Sequence, residues 1–180
     1  MSNLNKEEKW LRNRKRLIDA LISNAYNNQV DQMLEKLTML GDDGFEKCKN
    51  SLLYSALKNA SKECAEILIQ RGATCNINLL IRDCYWYDID RVYSLVEYLI
   101  KKYNIEIVLI SKEYIVTRLI DPSKIKDNPG RLEYTIQLLR DGFFNINDIR
   151  KSINKSYKDN NKRGNITSLI REISLNDLGI

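Results

Sequence analysis

Apolar residues fall in short clusters with helical spacing, and the clearest lies in Ser51 to Thr74, SLLYSALKNASKECAEILIQRGAT. Leu52, Leu53, Ala56 and Leu57 gather on one face of a helix. Ser51 stands just before that face, where a hydroxyl can cap the open amides of a first turn. Ala60 and Ser61 interrupt the run, and Lys62 and Glu63 reopen it with Cys64, Ala65, Ile67, Leu68 and Ile69. Gly72 closes the second helix, because helices often end on a left-handed residue that costs glycine least.

The same pattern recurs along the chain. A shift of 31 positions carries Gly72 back onto Gly41, Ala56 onto Ala25, Leu53 onto Ile22 and Leu68 onto Leu37. The same shift forward carries Glu66 onto Glu97, Leu68 onto Leu99 and Ile69 onto Ile100, with Gly72 landing on Tyr103. In a further copy, Leu132 to Phe143, Leu138, Leu139 and Gly142 keep the spacing of Leu68, Ile69 and Gly72. That copy is delayed by 39 positions (142 − 103), which implies an insertion, and Asp121 to Gly130, DPSKIKDNPG, holds both prolines and reads as a loop.

The rest of the chain fits between these landmarks. Helices are expected at Leu17 to Tyr26 and Val30 to Leu40, with Asn27 and Asn28 turning between them and Gly41-Asp42-Asp43-Gly44 forming a loop. Leu79, Leu80 and Ile81 can begin another helix, and Val92, Leu95, Val96, Leu99 and Ile100 make a helical stripe from Arg91. Ile105 to Ile110, IEIVLI, suits a short strand, but a loop followed by a helix from about Val108 through Tyr114, Ile115 and Leu119 is expected. Ile146 to Ile153 begins a last helix, completed by Ile166 to Ile173 after a polar break at Ser156 to Gly164, where a mobile loop is expected. The predicted class is all-α.

At Ser51 to Thr74 the chain resembles the ankyrin repeat, whose unit runs roughly T-P-L-H-x-A, a glycine turn, a second helix rich in E-I-V and L-L, then G-A-D. The residues that carry the resemblance are Ser51 to Ala56, Glu63, Leu68-Ile69 and Gly72-Ala73-Thr74. Leu52 replaces the family's proline, Tyr54 its histidine, Ala60 its inter-helix glycine and Thr74 its aspartate. The resemblance implies a degenerate ankyrin-like solenoid of about four stacked helix-turn-helix repeats over residues 17–147. A basic cap helix would precede it at 1–16 and a helical cap would follow at 148–180. It also implies binding of another protein through Asp42 and Asp43, through Ser55, Lys58 and Asn59, and through Thr74, Cys75 and Asn76.

Tyr85-Trp86-Tyr87 joins that surface on chemical grounds. Three consecutive aromatics cannot all face inward, so they form either an irregular core plug or a recognition hot spot. The N-terminal stretch also reads two ways. It is a cap helix with Trp10 packed on the first repeat, or a basic arm in which Arg12, Arg14, Lys15 and Arg16 meet nucleic acid or an anionic surface.

Composition narrows the chemistry. A net charge of +5 over 180 residues is too small by itself to imply a nucleic-acid partner. The chain has no histidine, so Ser-His-Asp and Cys-His catalysis are excluded, and no phosphate-binding glycine motif is present. Cys48, Cys64, Cys75 and Cys84 form no C-x-x-C pair, with Cys75 and Cys84 in connecting stretches that could be exposed. The reading is therefore of a non-enzyme without metal or cofactor. No apolar run approaches the roughly 18 residues of a membrane span, and the first residues lack the apolar core of a signal peptide, so a cytosolic place, the protein's own or a host's, is expected. Abundant Ile, Lys, Asn and Tyr suggest an A+T-rich genome, and isolated ankyrin-like proteins of such composition are familiar from intracellular bacteria, large DNA viruses and protists. The resemblance thus raises a factor acting on host proteins.

Overall fold

A computed structural model describes residues 2–105, 111–121, 127–128 and 130–156. The expected helix at Ile166 to Ile173, the loop after Ser156, most of the IEIVLI run and most of the insertion lie outside the described residues. Among those described, the regular structure is helical, without strands. The helices are α1 (Ser2–Tyr26), α2 (Val30–Leu40), α3 (Asp42–Lys58), α4 (Lys62–Gln70), α5 (Ile77–Asp83), a 3-10 turn (Trp86–Asp88), α6 (Ile89–Tyr103), α7 (Lys112–Leu119), α8 (Gly130–Arg140) and α9 (Ile146–Ser156).

The chain divides into two compact units, one of Met1–Cys84 with Arg91–Ile107 and one of Tyr85–Asp90 with Val108–Ile180. In the first, α1 packs on α2 and α3, and α3 packs on α4 and α5. Their inward faces supply Leu21 and Ala25, Met33 and Leu37, Leu52 and Ala56, and Cys64 and Leu68, all buried. In the second, α7 packs on α9 and α8, and α8 lies against the 3-10 turn. Ile115, Val116, Leu119, Leu138, Phe144 and Ile149 fill its core.

The hairpins share one way of turning. Asn28 and Ala60 hold φ of +55° and +51°, and Gly72, Asn104 and Gly142 hold +80°, +48° and +70°. At each the following amide reaches back across the last helical turn, as in Gln29 N to Asn24 O (2.9 Å), Ser61 N to Ala56 O (2.8 Å), Ala73 N to Leu68 O (2.9 Å), Ile105 N to Ile100 O (3.1 Å) and Phe143 N to Leu138 O (2.9 Å). This is the bonding that satisfies the free carbonyls of a helix end when its next residue turns left-handed. The turns recur at 32 positions from Asn28 to Ala60 (60 − 28) and from Gly72 to Asn104 (104 − 72). The closing residue of the third copy is thus Asn104 and not Tyr103, which stays helical. Asparagine is the side chain that best tolerates this conformation after glycine.

Two further expectations are corrected. Gly41-Asp42-Asp43-Gly44 is no loop, because α3 begins at Asp42 and Gly41 alone joins it to α2, with φ +72° and ψ +170°. The two carboxylates stand in the first turn, where the helix dipole favours them, and Gly44 leaves room for Leu40, whose Cγ would lie 2.4 Å from a Cβ there. Ser51 is accordingly mid-helix, and the apolar face runs back from Leu52 through Cys48 and Phe45. Cys84, in a connection that could have been exposed, is 3% exposed, with its thiol against the Ile81 carbonyl at 3.1 Å.

Polar groups tie successive hairpins of the first unit together. Ser61 stands at the N-cap of α4, yet its hydroxyl donates to the Tyr26 carbonyl, which also accepts from the Asn59 amide at 2.9 Å. The capping of α4 comes instead from Asn28, whose Oδ1 accepts from Cys64 N at 3.2 Å while its Nδ2 donates to Glu63. The next step is held by Glu66 of α4, whose Oε1 accepts from Lys102 and from the Tyr98 hydroxyl of α6, both at 2.8 Å. Those bonds keep the Glu66 carboxyl below its ordinary value of 4.5.

A folded-state value below the unfolded one stabilises the fold above the unfolded pKa, and that contribution disappears as pH falls through the folded pKa. Thermal melts between about pH 7 and pH 3 should show the wild-type advantage over Glu66→Gln shrinking below the normal glutamate range, with both chains converging at the acid end. A constant offset across that range would mean that the bonds to Lys102 and Tyr98 do not form.

Candidate protein-binding surface

Asn50, Ser51, Tyr54 and Ser55 share one face of α3, since residues three and four apart on a helix are neighbours. Opposite them runs the connection Thr74-Cys75-Asn76, and together they line a groove of about 520 Å³. Asn50 holds the connection in place by accepting from Thr74 N at 2.9 Å. Asn76 anchors its other end, its side chain capping α5 through Leu79 N at 3.0 Å.

The lining carries hydroxyls, amides and a thiol, and no formal charge at neutral pH. Burial raises the Cys75 thiol to about 11, so it stays protonated and is a poor nucleophile. Burial, and then the Asp83 carboxylate, raise the Tyr54 phenol above its ordinary value. Such a surface offers hydrogen-bond donors and acceptors without a net charge.

The structure thus brings Ser55, Thr74, Cys75 and Asn76 together in one lining, which does not include the other expected residues of the first unit. The Asn59 amide is taken by Tyr26, and Lys58 ends α3 half-buried. Asp42 and Asp43 lie roughly 17 Å from Tyr54 along α3, at 1.5 Å per residue. Asn50, Ser51 and Tyr54 were missed, although their helical spacing with Ser55 placed them on its face.

The N-terminal residues lie on the single helix α1. Trp10 is 56% exposed, with the Arg14 guanidinium one turn on over its ring at 5.2 Å. Arg12 bonds and pairs with Glu8, while Lys15 and Arg16 are exposed.

The aromatic triplet belongs to the second unit and divides by role. Trp86 is half-buried, edge-on to Tyr134 at 5.5 Å and beneath the Arg131 guanidinium at 5.6 Å. Tyr134 in turn donates to Asp90, and burial and that carboxylate raise its phenol well above the ordinary range. Tyr85 and Tyr87 are 52% and 51% exposed, their rings parallel with centroids 5.4 Å apart. Trp86 is therefore an anchor for the unit, and the tyrosines are its outward faces.

No protein-family model, no curated protein and no solved structure matches this chain. Among the described residues no three cysteines or carboxylates gather as a metal site, and no helix is long and apolar enough to cross a membrane.

Proposed function

We propose that the chain is a protein-binding module of degenerate ankyrin-repeat type, in which consecutive helical hairpins hold a rigid surface against another protein. The observation that carries this reading is the gathering of Ser55 with Thr74, Cys75 and Asn76 in one groove between a helix and the connection following the next helix. Repeat scaffolds use such positions for partner contacts. Supporting it further, left-handed turns recur at the same interval of 32 positions in two pairs, Asn28 with Ala60 and Gly72 with Asn104, as stacked units of one length require. The outward tyrosines Tyr85 and Tyr87 offer a second contact region, since tyrosine is enriched where interface energy concentrates. The reading involves no catalysis and no cofactor.

The test fills the groove. Ser55→Arg with Thr74→Arg, at positions half-buried and exposed respectively, should leave the helical content intact. In pull-downs from a eukaryotic lysate, one protein species should be recovered with wild type and reduced at least ~10-fold with the variant, a loss of about 1.4 kcal/mol. Equal recovery of every captured protein by both chains would remove the groove from the account.

A further inference from the structure

A second groove lies in the first unit, between α1 and the C-terminal end of α2, and the binding surface above does not use it. Its volume is about 660 Å³, within the ~300–1,000 Å³ range of surface sites that hold a ligand. The floor is apolar, formed by Trp10, Leu17 and Ala20 of α1 with Met39 and Leu40 of α2. Met39 is 70% exposed and Trp10 56%, a local concentration of large apolar side chains at the surface. Arg14 and Arg16 form the rim, and Asp43 is the one acid lining it.

Geometry and charge together select the occupant. From Trp10 to Ala20 the groove follows α1 for roughly 15 Å, at 1.5 Å per residue. A docked helix presenting apolar anchors at i, i+4 and i+7 needs about 10.5 Å, so three anchors fit. Arg14 and Arg16 outweigh Asp43 in the lining, so an acidic flank on the docked helix would be drawn in and a basic one repelled.

We infer that this groove receives a short amphipathic helix of a partner protein, apolar on its buried face and acidic on its flanks. The site is distinct from the Asn50–Asn76 groove, and either can fail without the other.

Two synthetic helical peptides of about 12 residues test it, each with leucines at i, i+4 and i+7, one flanked by glutamates and its twin by lysines. Fluorescence anisotropy of the labelled peptides against the full chain should show the acidic peptide binding at least ~10-fold tighter than its twin. Met39→Glu should abolish that binding, and its exposed position predicts an unchanged melting curve. Arg14→Glu with Arg16→Glu should reverse the preference in favour of the lysine peptide. No binding of the acidic peptide, equal binding of both, or binding that Met39→Glu leaves intact would each overturn the inference. So would displacement of the acidic peptide by phosphatidylserine–phosphatidylcholine vesicles whose own binding survives Met39→Glu, which would assign the face to lipid.

Discussion

Leu68→Ala is expected to lower the stability of the first unit by about 2–5 kcal/mol, the usual cost of emptying a fully buried leucine site. Leu68 is 0% exposed, and the positions in register with it, Leu37, Leu99 and Leu138, are 4%, 1% and 2% exposed. Each hairpin therefore places one leucine of its second helix in the core at the same point of the repeat. Against a domain stability of roughly 5–15 kcal/mol the loss is large, and at ~4–8 °C per kcal/mol for a unit of this size the melting temperature should fall by about 10 °C or more. The neighbouring Ile69 is only half-buried, so Ile69→Ala should cost clearly less. Equal costs for the two, measured by urea unfolding, would show that the register is misassigned.

Asn28→Ala should destabilise the same unit by about 2–3 kcal/mol, far above the ±0.5 kcal/mol of an ordinary surface change. Two losses combine. The Oδ1 acceptor for Cys64 N disappears, and removing a capping oxygen costs about 0.5–2 kcal/mol. Alanine must also hold the left-handed φ of +55°, at about 1–2 kcal/mol for a residue with a Cβ and no local hydrogen bond to compensate. Asn28→Gly separates the terms, since it loses the cap but accepts the backbone angle, and it should fall about 1 kcal/mol short of the alanine variant. If the alanine variant unfolds within about 0.5 kcal/mol of wild type, the first hairpin does not cap the second.

These two sites mark what could and could not be read from the chain. The bounds of α2 and α4 were legible because their ends carry residues with a local meaning, Asn27-Asn28 before Val30 and Gly72 after Gln70. The register leucines were legible because burial at a fixed interval leaves a pattern in sequence. The start of α3 was not, because Asp-Asp-Gly has the composition of a turn. The α2–α3 junction needs that glycine to let Leu40 approach and uses those acids at a helix N-terminus. Nor was the capping of α4, since Ser61 is the local candidate and only the packing of one hairpin on the next gives that task to Asn28.

The lining of the candidate groove could be read from the chain only in part, for the same reason. The family resemblance pointed to Ser55 and to Thr74 through Asn76, but the facing residues Asn50, Ser51 and Tyr54 depend on which side of α3 meets the connection. The aromatic triplet left its orientation open until Tyr134 and Arg131 were seen to hold Trp86, because those partners stand more than 40 positions away in the chain.

The dissociation constant of the captured partner, measured by calorimetry at low and high salt, tests the binding-module account most directly. The groove lining is uncharged, so the wild-type value should change by less than ~3-fold between about 50 and 500 mM salt, and Ser55→Arg with Thr74→Arg should weaken it at least ~10-fold. An affinity that the groove substitutions leave unchanged, that falls steeply with salt, and that vanishes when the first sixteen residues are removed would contradict the account and assign binding to Arg12, Arg14, Lys15 and Arg16.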